Sequence, residues 1–213
     1  LPSKSCPTFL SFLSSVNNDI CAGDNTPKKL NKLIAVNFLL LLFNKLWAYY
    51  TQACKKGNLD MNLKEKLASL GYILPKAAAP AANYVPYVIS GKQLIIAGQI
   101  PFINGEAMHQ GRLGADYDIP HGVEAAKACA LNILAQANAA VGEDFTKIKR
   151  LVKLGGFVQC TPDFFNHPQV INGASDLMVD TLGEAGKHAR FAVGVAALPF
   201  GVAVEIDAVF ELA

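Results

Sequence analysis

The sequence lacks the residue spacings that mark metal-binding and disulfide-rich proteins. Its five cysteines form no CxxC pair, and its four histidines show neither HxH nor HxxxH spacing. These absences argue against a structural zinc site. Three cysteines fall in residues 1–60, so we interpret Cys129 and Cys160 as free, buried thiols of a protein in a reducing, cytoplasmic compartment.

Clustered positive charge is also missing from most of the chain. Residues 1–60 hold seven lysines and three aspartates of the 19 basic and 17 acidic residues, which leaves 12 basic and 14 acidic residues in 61–213. Nucleic-acid binding normally needs a basic face, so it is not expected here. Membrane insertion is not expected either, because Asn37, Asn44 and Lys45 interrupt the most apolar stretch within the roughly 18 residues of a minimal span.

Residues 1–60 contain no arginine and no methionine, and the first methionine is Met61. We interpret this segment as an atypical N-terminal extension that carries no chemistry. Three origins stay open: non-native sequence translated from upstream, a genuine amphipathic extension, or a membrane anchor. The folded domain is expected in residues 61–213.

The remaining residues alternate between strand and helix patterns. Leucines at helical spacing predict a short helix near residues 62–70, and apolar residues three or four apart predict long helices over 123–141 and 170–182. Branched and aromatic runs predict strands at 84–90, 93–102, 149–160, 190–197 and 202–212. The order β-β-α-β-α-β-β predicts an α+β domain with one mixed sheet and two long helices on one face.

The last two strands carry one arginine and one glutamate, Arg190 and Glu205, among small and branched apolar residues. Alternation predicts that Phe191, Val193 and Val195 face the helices, together with the set Val204, Ile206, Ala208 and Phe210. Arg190 and Glu205 would then share the opposite, Ala- and Gly-rich face, which we expect to contact another subunit. Three interpretations of the pair stay open: a structural ion pair, charges at the rim of an oligomer contact, or a site for small carboxylic acids.

Three stretches carry a resemblance to a known family: "SGKQLIIAGQIPFINGE", "VKLGGFVQCTPDFFNHPQVINGASDL" and "HARFAVGVAALPFGVAVEIDAVFEL". They are similar to the RidA/YjgF family, also labelled L-PSP endoribonuclease-like or chorismate mutase-like, and the resemblance covers residues 61–213. The Ala- and Gly-rich sheet face predicts a homotrimer, and the resemblance implies that it hydrolyses reactive 2-imino acids, such as 2-iminopropanoate and 2-iminobutanoate, to 2-oxo acids and ammonia. It also implies that no metal or organic cofactor is used.

The resemblance implies a role for each matching residue. Arg190 would hold the substrate carboxylate and Glu205 would position the attacking water. Tyr84, Gly98 and Asn172 would bind substrate. Two positions differ from the common family pattern: Ala97 stands where the family commonly has serine, and Ala192 stands where it commonly has cysteine. Ala192 is also assigned to the substrate site. An apolar setting is expected to raise the pKa of Glu205.

Other polar residues are interpreted as structural. His188 is expected to be a solvated residue at a strand entry, and Ser175 and His167 show no recognisable third partner for a nucleophilic triad. The sequence leaves two functions from different classes open, an imine hydrolase and a non-catalytic trimeric module that binds small carboxylates. A ribonuclease is the weakest of the alternatives, since residues 61–213 carry more acidic than basic residues.

Overall fold

The computed structural model describes residues 62–79 and 83–213. The expectations for residues 1–60 lie outside these ranges, and the proposed domain boundary stays a prediction. The described elements, in chain order, are α1 (Leu63–Ser69), β1 (Tyr87–Ser90), β2 (Gln93–Gln99), β3 (Phe102–Ile103), β4 (Glu106–Ala107), α2 (Ile119–Ala140), β5 (Ile148–Gln159), α3 (His167–Leu182), β6 (Ala189–Val195) and β7 (Val204–Leu212).

One mixed sheet of five strands organises the fold, as predicted. Its spatial order is β1-β2-β7-β5-β6. Neighbouring strands are antiparallel except β5 and β6, which are parallel. The connection between the two parallel strands is α3, the helical crossover that parallel strands require. The short hairpin of β3 and β4 was not predicted.

Both long helices pack on the same face of this sheet. α2 covers β2 and β7, α3 covers β5 and β6, and the two helices contact each other. The stripe predicted for α2 is buried, with Ala126, Ala130, Ile133 and Ala137 fully inaccessible to solvent. α2 begins where the Asp118 side chain accepts a hydrogen bond from the amide of His121 at 3.1 Å.

The prediction of which β7 residues face the helices is confirmed, and it determines the face on which Glu205 lies. Val204, Ile206 and Phe210 are fully buried under the helices, and Ala208 is buried beside them. Because side chains alternate along a strand, Glu205 points to the face that no described helix covers.

The face prediction for β6 is wrong. Phe191 pairs with Gly155 on the uncovered face, and Val193 is 42% exposed there. Arg190 and Ala192 instead face α3, as does Gly194, and Ala192 packs against the helix-covered core. Arg190 and Glu205 therefore lie on opposite faces of the sheet.

Close packing of α3 against the sheet explains why Phe191 and Val193 of β6 lie on the face opposite to the one predicted. A Cβ added at Gly194 would lie 2.8 Å from Cys160 Sγ, and one added at Gly156 on β5 would lie 2.7 Å from Ile171 of α3. Such distances exclude a side chain at these two glycines. Phe191 and Val193 of β6 lie on the uncovered face, whereas Arg190 faces α3 and is held there by hydrogen bonds to Ser175 and Asn172.

The predicted free thiols are confirmed. Cys129 and Cys160 are both buried and outside any disulfide. Burial raises the pKa of both thiols, so each is held in its neutral form.

No helix within residues 62–79 and 83–213 is long and apolar enough to span a membrane.

Candidate functional site

A β-bulge in β2 shapes the candidate site. Ile96 pairs with Ala208 and Gln99 with Ile206, so Ala97 and Gly98 together stand opposite the single residue between those partners on β7. The Gln99 amide donates hydrogen bonds to the carbonyls of Ala97 at 3.0 Å and Gly98 at 3.3 Å. A bulge re-aims the chain locally, and this one brings Gly98 against Glu205.

Gly98 has no room for a side chain. A Cβ at this position would overlap Glu205 Oε1 and lie 3.0 Å from the Glu205 carboxyl carbon. The carboxylate thus packs directly on the backbone of the bulge.

A cavity of about 170 Å³ opens beside this contact and is lined by Tyr84, Gly98 and Glu205. Three of the six predicted site residues therefore meet at one place. Its other walls include Pro86, Gln99, Phe102, Asn132, Gln136 and Phe200. Aromatic and apolar walls around one carboxylate are typical of sites for small organic ligands.

Partial burial raises the pKa of Glu205, and the charge of Asp207 two residues further along β7 raises it further. This direction was predicted from the apolar strand. A carboxylate whose pKa lies above its usual range exchanges protons more readily near neutral pH.

Asn132 and Gln136 are cavity residues that sequence reasoning missed. The Asn132 amide donates to the carbonyls of Ile100 at 2.9 Å and Phe102 at 3.0 Å, and the Gln136 amide donates to the carbonyl of Ala78 at 2.7 Å. These bonds fix two walls of the cavity to α2. Two amides four residues apart, on the part of the helix where most neighbouring residues are Ala, Leu and Ile, were the available signal.

Arg190 is held by α3, on the other face of the sheet. Its Nη1 donates to Ser175 Oγ at 2.9 Å, and its Nη2 donates to Asn172 Oδ1 at 2.8 Å and to the carbonyl of Pro168 at 3.1 Å. Arg190 and Asn172, two further predicted site residues, are therefore in contact. A guanidinium has five N–H donors, so the Nε–H and one Nη1–H stay free for an anion.

The six predicted residues form two separate groups. Glu205 pairs with Phe157 of β5, and Arg190 pairs with Leu154 of the same strand. Glu205 and Arg190 are therefore about 10 Å apart along the strand direction, and about 10 Å apart across the two strand spacings between β7 and β6. Ala192 belongs to the Arg190 side and lies under α3 rather than in the cavity. The expectation that Arg190 and Glu205 share a face is wrong, and they form no ion pair within one chain.

No group of three or more His, Cys, Asp or Glu side chains in the described part of the chain is arranged to hold a metal ion.

The comparison with known families decides the identity of this fold. Residues 64–210 match the family described as YjgF/chorismate mutase-like, whose description also carries an endoribonuclease label. The chain belongs to the RidA/YjgF family. The predicted resemblance and the predicted fold are thereby confirmed.

Several RidA/YjgF relatives match over most of their length. Protein TCP17 of Trypanosoma cruzi is 52% identical over 147 residues, which are 68% of this chain and 91% of that protein. The crystal structure of Atu1372 from Agrobacterium tumefaciens, a protein of unknown function, is 48% identical with a TM-score of 0.67 and covers 71% of this chain and 92% of its own. A structure from Shewanella oneidensis named as an endoribonuclease is 36% identical with a TM-score of 0.69 and covers 71% and 100%.

We expect Gly98→Ala to displace the Glu205 carboxylate, because the added methyl group would overlap Oε1. Under the catalytic role proposed for Glu205 below, kcat should then fall about tenfold to a hundredfold, since small misplacements of a reacting group are costly. The melting temperature should change little, since Glu205 can swing away. Steady-state kinetics and thermal unfolding check both parts. In a Glu205→Gln background the same substitution should have almost no further effect, and a full additional loss would contradict this account.

Proposed function

We propose that this RidA/YjgF protein hydrolyses 2-imino acids to 2-oxo acids and ammonia. The observation that carries the proposal is the Glu205 carboxylate, which lies on the Gly98 bulge in a small cavity and has a raised pKa. A water molecule held by this carboxylate would be positioned for attack on a carbon atom in the cavity. An imine protonated on nitrogen is already electrophilic and needs little beyond such positioning.

The reaction balances with Glu205 as the only proton carrier. Glu205 removes a proton from water while the water oxygen bonds to the imine carbon, which gives a tetrahedral carbinolamine. Glu205 then returns that proton to the nitrogen. The C–N bond breaks as the hydroxyl group loses its proton to Glu205, so that ammonia leaves and a 2-oxo acid remains. Glu205 then gives this last proton to the departing ammonia, which leaves as ammonium, and the carboxylate is ionised again for the next turnover.

In this proposal Arg190 binds the substrate carboxylate, and it must come from another copy of the chain. In a 2-imino acid the carboxylate is bonded directly to the reacting carbon. The separations of about 10 Å along and across the sheet are therefore too large for one chain to supply both Arg190 and Glu205. A site formed between subunits brings the two groups together.

The uncovered face of the sheet supports assembly. Val88, Ile95 and Val193 are 49%, 42% and 42% exposed on it. Phe157 and Phe191 pack edge to face beside them, with ring centroids 5.3 Å apart. An exposed apolar face of this kind marks an interaction surface. The homotrimer predicted from the sequence thus remains our proposal, with larger apolar residues at the contact than the Ala and Gly first expected.

We expect the full chain to sediment as a trimer, and Val193→Asp to shift it to monomers because the charge would be buried in the contact. Light scattering and analytical ultracentrifugation measure the mass. Ile73→Asp, at an exposed apolar residue outside the sheet, is the control and should stay trimeric. A monomeric wild-type protein at micromolar concentration would reject both the trimer and the intersubunit site.

The proposed activity is tested with the full chain in a coupled assay. An amino acid oxidase generates the 2-imino acid, and semicarbazide traps whatever imine survives. We expect the protein to lower the trapped yield in proportion to its concentration. An unchanged yield, even with protein in excess of the oxidase, would show that it does not hydrolyse the imine.

The alternatives predict other outcomes in the same preparation. A non-catalytic carboxylate-binding module would bind 2-oxobutanoate but leave the trapped yield unchanged. A ribonuclease would need cationic groups for its substrate, whereas five lysines of the described residues form ion pairs with carboxylates: Lys64, Lys127, Lys147, Lys149 and Lys187. A cytoplasmic location stays a prediction from the free thiols.

A further inference from the structure

His188 is not the solvated residue that the sequence suggested. It is half-buried, and its ring makes two hydrogen bonds. Nδ1 lies 2.6 Å from the carbonyl oxygen of Gly186, and Nε2 lies 3.0 Å from Ser175 Oγ. Ser175, for which no third partner was visible in the sequence, therefore contacts His188.

The Gly186 carbonyl fixes the tautomer of His188. A carbonyl oxygen can only accept, so Nδ1 carries the proton and donates it to Gly186. Nε2 of the neutral ring is then an acceptor, and the Ser175 hydroxyl must donate to it. This orientation turns the lone pairs of Ser175 Oγ away from the ring.

Arg190 donates to the Ser175 oxygen, whose lone pairs this orientation leaves available. Its Nη1 donates to Ser175 Oγ at 2.9 Å. The bonds thus run in one direction, from Arg190 to Ser175, from Ser175 to His188, and from His188 to the Gly186 carbonyl. Every donor and acceptor in this series of hydrogen bonds has a single compatible role, so the position of the Arg190 guanidinium is well defined.

We propose that Ser175 and His188 are positioning residues for Arg190, and that protonation of His188 loosens Arg190 and weakens its binding of a carboxylate. The statement about substrate binding rests on the proposed function. The statement that Ser175 and His188 position Arg190 does not. When Nε2 gains a proton it becomes a donor directed at Ser175 Oγ. The hydroxyl proton then has no acceptor in the ring, and a second cation competes with Arg190 for the same oxygen.

The electrostatic surroundings of His188 agree with this direction. Burial lowers its pKa first, the Gly186 hydrogen bond opposes that effect, and the charge of Arg190 lowers the pKa further. His188 is therefore neutral at physiological pH and gains its proton only in acid. Other charged groups lie on the elements around it: Lys187 and Glu184, which pair at 2.7 Å, Asp176 on α3, and Arg150 on β5, whose guanidinium donates to the Lys187 carbonyl at 3.1 Å.

The first test needs no substrate. In the full-length protein with ¹⁵N-labelled histidine and arginine, we expect NMR to report the Nδ1–H tautomer of His188 at neutral pH. The Arg190 guanidinium signals should change as His188 titrates, and Ser175→Ala should remove that response. An Nε2–H tautomer, or Arg190 signals that ignore both the titration and the substitution, would overturn the proposal.

The second test measures binding of 2-oxobutanoate by calorimetry. Ser175→Ala should raise the dissociation constant about three- to tenfold at pH 7.5, the effect of one hydrogen bond, while Ser175→Thr, which keeps the hydroxyl, should restore it. In the wild type the constant should rise as pH falls below about 6.5, the usual pKa of histidine. His188→Gln, which cannot titrate, should abolish that rise.

The matched control is His121→Gln, at an exposed histidine on α2 that contacts Asp118 and has no hydrogen bond to Ser175 or Arg190. It should keep the wild-type pH dependence. Tighter binding in acid, or equal constants for Ser175→Ala and Ser175→Thr, would contradict the positioning role. Hydrolysis of imines is a separate readout: if it is absent while both tests hold, the proposed function fails and the positioning of Arg190 stands.

Discussion

Replacing Glu205 with Gln should lower imine hydrolysis about a hundredfold or more, since a positioned general base contributes at least that factor. The amide nearly keeps the shape of the carboxylate against Gly98 but cannot accept a proton from water. Binding of 2-oxobutanoate should stay within about twofold of wild type, because the carboxylate is assigned to Arg190. Turnover and calorimetry on the same preparation measure both effects.

The raised pKa of Glu205 gives this experiment a second readout. The base must be ionised, so the acidic limb of kcat/KM should lie above the pH expected for an ordinary glutamate. A carboxyl group with a raised pKa in the folded state contributes most stability below its unfolded pKa, and that contribution is lost as pH rises through the folded pKa. Glu205→Gln removes this loss, so the variant should be at least as stable as wild type at pH 8.

The matched control is Glu211→Gln on the same strand, where the carboxylate pairs with Lys149 at 2.6 Å and lies outside the cavity. Its turnover should equal that of wild type. Normal turnover in a destabilised Glu205→Gln protein would show that Glu205 is structural, and the catalytic assignment would then be rejected.

Replacing Arg190 with Lys should cost on the order of 1.5 to 3 kcal/mol of transition-state binding, or roughly 10- to 150-fold in kcat/KM. Lysine keeps the positive charge. It cannot donate to Ser175 from one nitrogen and to Asn172 from another, as Arg190 does. The loss should appear mainly in the dissociation constant of 2-oxobutanoate, which distinguishes this variant from Glu205→Gln.

Arg150→Lys controls for the general effect of the exchange, since Arg150 lies on neighbouring β5, donates to the backbone carbonyl of Lys187 and is not among the residues of the proposed site. It should leave kcat/KM unchanged. If Arg190→Lys lowers only the melting temperature or the assembly state, with normal activity per folded trimer, Arg190 holds the fold and not the substrate.

The sequence predicts the order of elements well because each element has a local cause. Alanine and branched apolar residues three or four apart define α2, and alternation places Val204, Ile206 and Phe210 under the helices. The same alternation fails for β6, because it assumes that the larger side chains face the core. The approach of α3 is a tertiary property: it leaves no room for a side chain at Gly194, and it provides the hydrogen-bond partners that hold Arg190 on the covered face.

The candidate site is less predictable than the fold. Spacing alone singled out Arg190 and Glu205, whereas Tyr84, Gly98 and Asn172 came only from the family resemblance. No local pattern shows that the bulge at Ala97 and Gly98 joins Gly98 to Glu205, since this depends on the register of β2 against β7. The hydrogen bond between Ser175 and His188 joins residues on different elements, so it also needed the fold.

The separation of the two groups by the sheet has a consequence for how such a protein diversifies. The side that holds Arg190 is packed so tightly under α3 that few replacements at Gly156 or Gly194 fit. The cavity wall instead includes Tyr84 and Phe200, which are 52% and 63% exposed and tolerate exchange far more easily. Under the role proposed for Arg190, exchanges in this wall would change which ligand side chains fit while the group that binds the carboxylate stays in place.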